Sequence, residues 1–466
     1  MAEPPVGHWL NTRLERLAGR TLLIDADNAP CTFDALATRI EQLRSQVSVE
    51  ALGGLQTVAF SAGARASTLA LMFALACEGH VLAPLLSATP SEYADRLREG
   101  RVTCQIGLKG DEVSVAKTVS ELPIHPLVAQ LNSKRRPGLL LFSSGSTGKP
   151  KAMLHDFARL LEPYRPKPLK DLRLLLFMAL DHIGGIDTLL RTFTNGSTLV
   201  VPPARDPETV AQSIERHAVW VLPASPTFLN LLLLSGAASR YDLSSLRIIG
   251  YGAEPMPAAL LQRLADAFPQ VRLQQKFGTS ETNAVRVTSR DSRSLEIRIE
   301  DADTQYRIDD GELLLKTPAR ILGYLNADGD SLTADGWFRT GDLVEETGEG
   351  WLRIVGRKRE VINVGGEKVL PGEVEDCLLG LDAVADCLVT ARAHPMMGQV
   401  VAAQVVPAAG VEASALKKRV RAHSRAHLES WKVPVHIKVV PELAVSARFK
   451  KQRLSSESQR VYDKGP

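Results

Sequence analysis

The segment with the most chemical character is LLLFSSGSTGKPKAMLH (139–155), an apolar run emptying into Ser143, Ser144, Gly145, Ser146, Thr147 and Gly148, with Lys149 and Lys151 close behind. Such a loop suits a phosphate. Glycines let backbone approach an anion, hydroxyl and main-chain N–H groups donate to its oxygens, and lysine offsets its charge. A Walker-type loop would need glycine where Ser143 stands and Ser or Thr where Pro150 stands, so that alternative is disfavoured. Taken alone, the segment also fits a polar loop capping a helix.

The surrounding sequence predicts α/β architecture. Short apolar runs alternate with helical patterns over the first three quarters of the chain, as expected of mixed and parallel sheets covered by helices. LRIIG (246–250) reads as a buried strand, MPAALLQRLADAF (256–268) as a helix opened by Pro257, and VRLQQ (271–275) as the next strand. Asp206-Pro207 caps an amphipathic helix leading into VWVLP (219–223). From about Glu296 the texture shifts to short strands with turn signals at Asp309-Asp310-Gly311, Asp328-Gly329 and Asp335-Gly336, predicting a small β-rich subdomain over 296–357. The boundaries expected are a large N-terminal domain, 1–357, and a smaller α/β domain, 358–466, joined near Lys358-Arg359.

The loop at 143–151 resembles, almost residue for residue, the phosphate loop of the AMP-forming adenylate enzymes, the superfamily of acyl-CoA synthetases, peptide-synthetase adenylation domains and luciferases. Further segments resemble that family in the same order along nearly the whole chain. ALACEGHVLAPLL (74–86) is similar to an early structural motif, and LDHIGGID (180–187) to the stretch whose aromatic or histidine side chain gates the carboxylate pocket, here His182. IIGYGAEPM (248–256) resembles the segment approaching adenine, with Gly252, Ala253 and Glu254 in contact. KFGTSET (276–282) resembles the next signature: Phe277 would pack on the base, Gly278, Thr279 and Ser280 would line the nucleotide, and Glu281 would hold Mg2+. WFRTGDL (337–343) implies that Asp342 binds the ribose hydroxyls, with Ile354 and Arg357 beside it, and Arg359 falls at the hinge. Gly365 and Gly366 would line the pantetheine path. Near the C-terminus the family has proline, threonine and glycine before a catalytic lysine; here Ala444, Ser446 and Phe449 precede Lys450, with Lys451 as a rival and Arg453 retained. Phenylalanine in place of glycine puts that loop's usual conformation in doubt.

The resemblance implies that a carboxylic acid is activated by ATP to an acyl adenylate with release of pyrophosphate, and that the acyl group then passes to CoA. The pocket expected for the acid is His182, Gly252, Lys276, Ala284 and Val285: mostly apolar, with Lys276 as a handle for a second polar or anionic group. A fatty, aryl or other small acid fits. An α-amino acid is disfavoured because amino-acid-activating relatives place an aspartate where His182 stands, although Asp181 adjoins it. The alternatives are an enzyme that loads the phosphopantetheine thiol of an acyl or peptidyl carrier protein, and a degenerate nucleotide-binding scaffold, to which Ala152 in place of the usual glycine would point.

The chain has 466 residues, 44% hydrophobic and 23% charged, with a formal charge of +3, which argues for a multidomain globular protein and against nucleic-acid binding by the whole molecule. The charge is unevenly spread. Lys417–Arg453 holds eleven Lys or Arg against two acids, a net +9 that leaves −6 for the remainder. A basic C-terminal domain would attract CoA phosphates or an acidic carrier protein. The five scattered cysteines show neither a disulfide framework nor zinc spacing, and neither a signal peptide nor an apolar span is apparent, so a cytoplasmic location is expected.

Overall fold

The computed structural model describes residues 6–86, 89–110, 112–118, 122–144, 149–165, 168–327, 331–446 and 449–451, and of Ser144 the backbone only. Two seven-stranded sheets form the body. One runs Arg272–Gln275, Ile248–Tyr251, Val221–Ala224, Arg173–Leu175, Thr198–Val200, Thr21–Ile24 and Pro30–Thr32, parallel except for the last strand. The other runs Gly323–Tyr324, Pro150–Asp156, Gly138–Ser144, Val81–Leu85, Thr57–Ser61, Cys104–Lys109 and Glu112–Lys117, with a parallel centre and antiparallel edges. One continuous apolar core joins both sheets to the helices Phe33–Gln46, Ala66–Glu78 and Ile183–Asn195. The helix Ala66–Glu78 is apolar on all sides, as a helix enclosed by protein must be.

A six-stranded antiparallel sheet follows: Val287–Ser289, Glu296–Ile299, Trp351–Arg357, Phe338–Gly348, Glu312–Lys316 and Gln305–Asp309. It begins at Val287 rather than near 296, because Val285 and Val287 point into the same apolar cluster as Ile297 and Leu352. The hairpin of Gln305–Asp309 with Glu312–Lys316 turns on Asp310 and Gly311, both at positive φ (49° and 74°), the geometry that an Asp-Gly pair favours. A last five-stranded sheet uses only residues after 360, with Val384–His394 and Gly398–Pro407 at its heart and the helices Pro371–Leu379 and Ala413–His427 packed on it.

The local expectations hold with small shifts. Asp206 Oδ1 accepts from Thr209 N at 2.9 Å with Pro207 in the first turn, opening the helix Pro207–His217. The strand expected at 246–250 lies at Ile248–Tyr251, and the helix expected over 256–268 at Ala258–Ala267 with Pro257 as its cap residue. The segment after the phosphate loop is a strand and not a helix: Gly138–Ser144 and Pro150–Asp156 pair antiparallel, Ser143 opposite Lys151. The next helix starts only at Phe157, capped by Asp156.

Candidate active site

Gly145, Ser146, Thr147 and Gly148 lie outside the described residues, but the hairpin fixes where their loop begins and ends. From it, Lys151 extends so that Nζ stands 5.5 Å from the centre of the Tyr324 ring, and the Tyr324 hydroxyl donates to Glu281 Oε1 at 2.9 Å. Tyr324 thus brings the loop lysine and the metal candidate into one cluster. Nothing local in the sequence singles it out; it arrives because the short strand Gly323–Tyr324 pairs with Met153 and Leu154. The adjacent His155 is buried, and burial pushes its pKa down to about 4, so it stays neutral.

The turn holding Glu281 is shaped by side-chain hydrogen bonds. Thr279 Oγ1 accepts from Glu281 N (3.2 Å) and Thr282 N (3.1 Å), so this hydroxyl is occupied in shaping the turn. Gly278 has φ of +147°, and a Cβ there would fall 2.2 Å from Asn283 O. Ser280 sits between them, half-buried. Phe277 is buried in the core of the antiparallel sheet, across from Val285 on the neighbouring strand. Gly252 passes so close to Lys276 that a Cβ would lie 2.6 Å from its carbonyl oxygen, and Ala253 adopts φ of +70°.

Asp342 and Arg357 are cross-strand partners, with Arg357 Nε 2.9 Å from Asp342 Oδ1 and Ile354 on the same strand as Arg357. Burial raises the Asp342 pKa above the ordinary carboxylate value, against the pull of Arg357. Next to them, the exposed turn Lys358–Glu360 carries Arg359, and Lys358 pairs with Glu312 at 3.1 Å.

Phe449 and Lys451 are docked on the body. The Phe449 carbonyl accepts from Ser225 Oγ at 2.7 Å, and Lys451 N donates to Glu254 Oε1 at 2.9 Å. The Phe449 ring packs against Phe177 and Phe228, with centroids 5.3 and 5.5 Å apart. Phe449 has φ of +52°, so the conformation a glycine would favour is kept despite the side chain, and ring packing offsets the strain. Lys450 is the residue between these two anchors and lies near enough to Glu254 to draw its pKa down, against the dominant rise caused by burial. Lys451, the rival, is committed elsewhere: its Nζ donates to Asp386 Oδ1 (2.6 Å) and Cys387 O (2.7 Å). Glu254 is likewise committed, its other oxygen accepting from Thr227 Oγ1 at 2.6 Å. Arg453 lies outside the described residues.

His182 caps the helix Ile183–Asn195, its Nδ1 accepting from Gly184 N at 3.0 Å. Its neighbour Asp181 is buried and pairs with Arg96 at 3.3 Å, so this carboxylate is occupied. The helix packs against the strand Asn283–Val285, which carries Ala284 and Val285. Lys276 borders the same region, with Nζ 3.0 Å from Gln274 Oε1. Gly365 and Gly366 form an exposed turn in contact with Met397 and Asn363.

A family model for AMP-binding enzymes matches residues 10–325, and one for the C-terminal domain of AMP-binding enzymes matches residues 373–450. The chain belongs to the AMP-binding enzyme family. Among its relatives is a 3-[(3aS,4S,7aS)-7a-methyl-1,5-dioxo-octahydro-1H-inden-4-yl]propanoyl:CoA ligase of Mycobacterium tuberculosis, 33% identical over 67% of this chain. That match spans 64% of the relative's own length, under two thirds of it. A 2-succinylbenzoate–CoA ligase of Bacillus pumilus is 27% identical over 98% of both chains. The crystal structure of the anthranilate CoA ligase AuaEII in complex with anthranoyl-AMP superposes with a TM-score of 0.81, covering 99% of this chain and 97% of that one at 19% identity, which shows a shared fold. Among the described residues, no helix of this AMP-binding enzyme is long and apolar enough to cross a membrane.

Proposed function

We propose that this AMP-binding enzyme activates a carboxylic acid with ATP and transfers the acyl group to CoA. A carboxylate oxygen attacks the α-phosphorus, the bond to pyrophosphate breaks, and an acyl adenylate forms; the CoA thiolate then attacks the acyl carbonyl and AMP leaves. The observation that carries this reading is the docking of Phe449 and Lys451, which sets Lys450 beside Glu254 at the edge of the Gly252–Glu254 turn. There an ammonium group would offset the charge that grows on the α-phosphate, a contribution of about 3–4 kcal/mol for one well-placed donor in a water-poor site. Asp342 and Arg357 would position the ribose, Ser143 to Gly148 with Lys151 would hold the phosphates, and holding acid and phosphate in line supplies much of the remainder. Support comes from the family match, the order of the motifs and the CoA ligases among the relatives.

Glu281 suits magnesium. It is a single hard-oxygen carboxylate, half-buried, oriented by Tyr324 and next to Lys151, and Mg2+ is commonly held by one carboxylate plus substrate phosphates. Held there by Glu281, the ion would supply positive charge to offset that of the phosphates.

In this proposal residues 358–466 form the mobile domain, turning at Arg359 so that Gly365 and Gly366 line the thiol's approach. The exposed Lys417, Lys418, Arg419 and Arg425 on the helix Ala413–His427 supply positive charge for the acceptor. That charge also favours a second reading, in which the acceptor is a carrier-protein phosphopantetheine. No disulfide joins Cys31, Cys77, Cys104, Cys377 and Cys387, in keeping with a reducing cytoplasm.

Pyrophosphate release with a panel of carboxylic acids tests the first step: acid-dependent release that is lost in Lys450→Ala is expected, and no release with any acid refutes it. Comparing CoA with a carrier protein as acceptor then decides between the two thiols.

A further inference from the structure

The strand Pro150–Asp156 is paired along both edges. On one edge Gly138–Ser144 runs antiparallel to it, with Ser143 opposite Lys151. On the other, Gly323 and Tyr324 lie opposite Leu154 and Met153, and Leu325 N donates to Ala152 O at 2.9 Å. Beyond that bond a side chain takes over from the main chain. Ala152 N donates to Asn326 Oδ1 at 2.9 Å, and Asn326 Nδ2 donates to Pro150 O at 2.8 Å. The Asn326 carboxamide thus accepts from the residue after Lys151 and donates to the residue before it, as a peptide unit of a neighbouring parallel strand would.

This clamp is itself held from below. Asn326 Nδ2 also donates to Glu99 Oε2 at 2.9 Å, and Glu99 closes the helix Pro90–Glu99 with its side chain only 15% exposed. The other Glu99 oxygen pairs with Arg98 at 3.3 Å. One donor faces the amide oxygen and two acceptors face its nitrogen, so a single orientation of Asn326 satisfies all three groups. Lys151, bracketed at the peptide on either side, sets its Nζ 5.5 Å from the centre of the Tyr324 ring, whose hydroxyl orients Glu281. Two residues of one short segment therefore act on the two charged groups of this cluster: Tyr324 on the carboxylate, Asn326 on the backbone that carries the lysine.

We propose that Asn326 is a positioning residue for Lys151, fixing the backbone of the loop lysine so that its ammonium group meets the phosphates of ATP. The inference rests on the acid-activating reading above, in which Lys151 holds those phosphates. Lysine is a compact charge on a flexible stem of four carbons, so the anchoring of its main chain limits where the charge can reach. Neither the loop residues nor Asn326 shows this link in the sequence, because 174 positions separate Asn326 from Ala152.

The test is acid-dependent ATP–pyrophosphate exchange, with an acid taken from the panel above. Asn326→Ala should raise the KM for ATP by roughly tenfold, as for the loss of one or two net hydrogen bonds, and leave the KM for the acid unchanged. Asn326→Asp, equal in size, keeps the acceptor for Ala152 N but loses both donors and sets a carboxylate against Glu99; its KM for ATP should rise further, and adding Glu99→Gln should bring it back to the Asn326→Ala level. In a Lys151→Ala background the Asn326→Ala change should add little, the non-additivity expected of residues that act as a unit and not of a merely structural asparagine. A KM for ATP unchanged in Asn326→Ala, an equal rise in the KM for the acid, or a full effect that persists without Lys151 overturns this inference and leaves acid activation standing. Failure of every acid to support exchange in the wild type overturns acid activation and the inference together.

Discussion

Replacing Phe449 tests whether docking of the C-terminal segment controls the first half-reaction. Its ring makes two aromatic contacts, to Phe177 at 5.3 Å and, edge-on at 86°, to Phe228 at 5.5 Å. Each such pair contributes about 0.5–1.5 kcal/mol beyond the area it buries, so Phe449→Ala should weaken docking by about 1–3 kcal/mol. The Ser225 hydrogen bond to the backbone survives the change. If adenylation requires the docked segment, its rate falls by roughly 5- to 150-fold. Phe449→Gly removes the same ring but also relieves a left-handed residue at φ of +52°, recovering about 1 kcal/mol. Glycine should therefore outperform alanine by roughly fivefold, the reverse of the usual order. Acid-dependent ATP–pyrophosphate exchange, measured without CoA, reads both variants. Wild-type exchange in Phe449→Ala, or a glycine variant slower than the alanine one, would refute the reasoning.

Three further outcomes follow from the same geometry. Lys451→Met should strand the nearly buried Asp386 without its partner and lower stability by about 3–5 kcal/mol in denaturant melts; Lys450→Ala should leave the melt in place and reduce exchange, and the opposite pattern would exchange the roles of the two lysines. Asp181→Asn should cost a comparable amount of stability by breaking the buried pair with Arg96, without altering turnover of any α-amino acid relative to other acids, a comparison open to the same exchange assay. Lys276, the handle expected for a second anionic group of the acid, has its pKa lowered to about 8 by burial and then by Arg191 and loses its charge as pH rises through that value, so the KM for a diacid should climb above pH 8 in the wild type and stay level in Lys276→Arg. The lowered value also means that the protonated lysine costs the fold stability below pH 8, a cost that fades as pH rises toward the ordinary 10.5.

Much of the site was legible because its chemistry is local in sequence. The Ser/Thr/Gly loop, the Thr279–Glu281 turn and the Thr340–Asp342 strand segment are short stretches whose residue types carry their own reasons, and the Asp206-Pro207 and Asp310-Gly311 signals act within one turn of backbone. What escaped is what depends on distant partners. Tyr324 meets Glu281 only through sheet pairing, and Lys451 meets Asp386 across 65 positions. The Asp187–Arg191 pair, at 3.0 Å, did leave a trace, since an acid four residues before an arginine lies on one helix face, but the spacing alone does not show that the buried Tyr164 joins it. The phenylalanine at 449 was legible as a conflict with backbone geometry; its resolution by Phe177 and Phe228 was not, because no local pattern ties those rings together.

The helix Ala258–Ala267 begins at Pro257 with no side chain of its own to satisfy its first amides; Asp376, from the helix Pro371–Leu379, accepts from Ala259 N at 3.2 Å instead. The cap is thus lent by one part of the enzyme to another. In the proposed turning of the C-terminal domain to admit a thiol, the lender would leave, and the first turn of that helix would lose about 1 kcal/mol of end stabilisation. Burial holds the Asp376 pKa above its ordinary value while it is docked, so departure also returns this carboxylate to its full acidity. On that proposal the amide of Ala259 would act as a clock for the catalytic cycle: slow to exchange its hydrogen for deuterium while acid is being activated, and faster during acyl transfer.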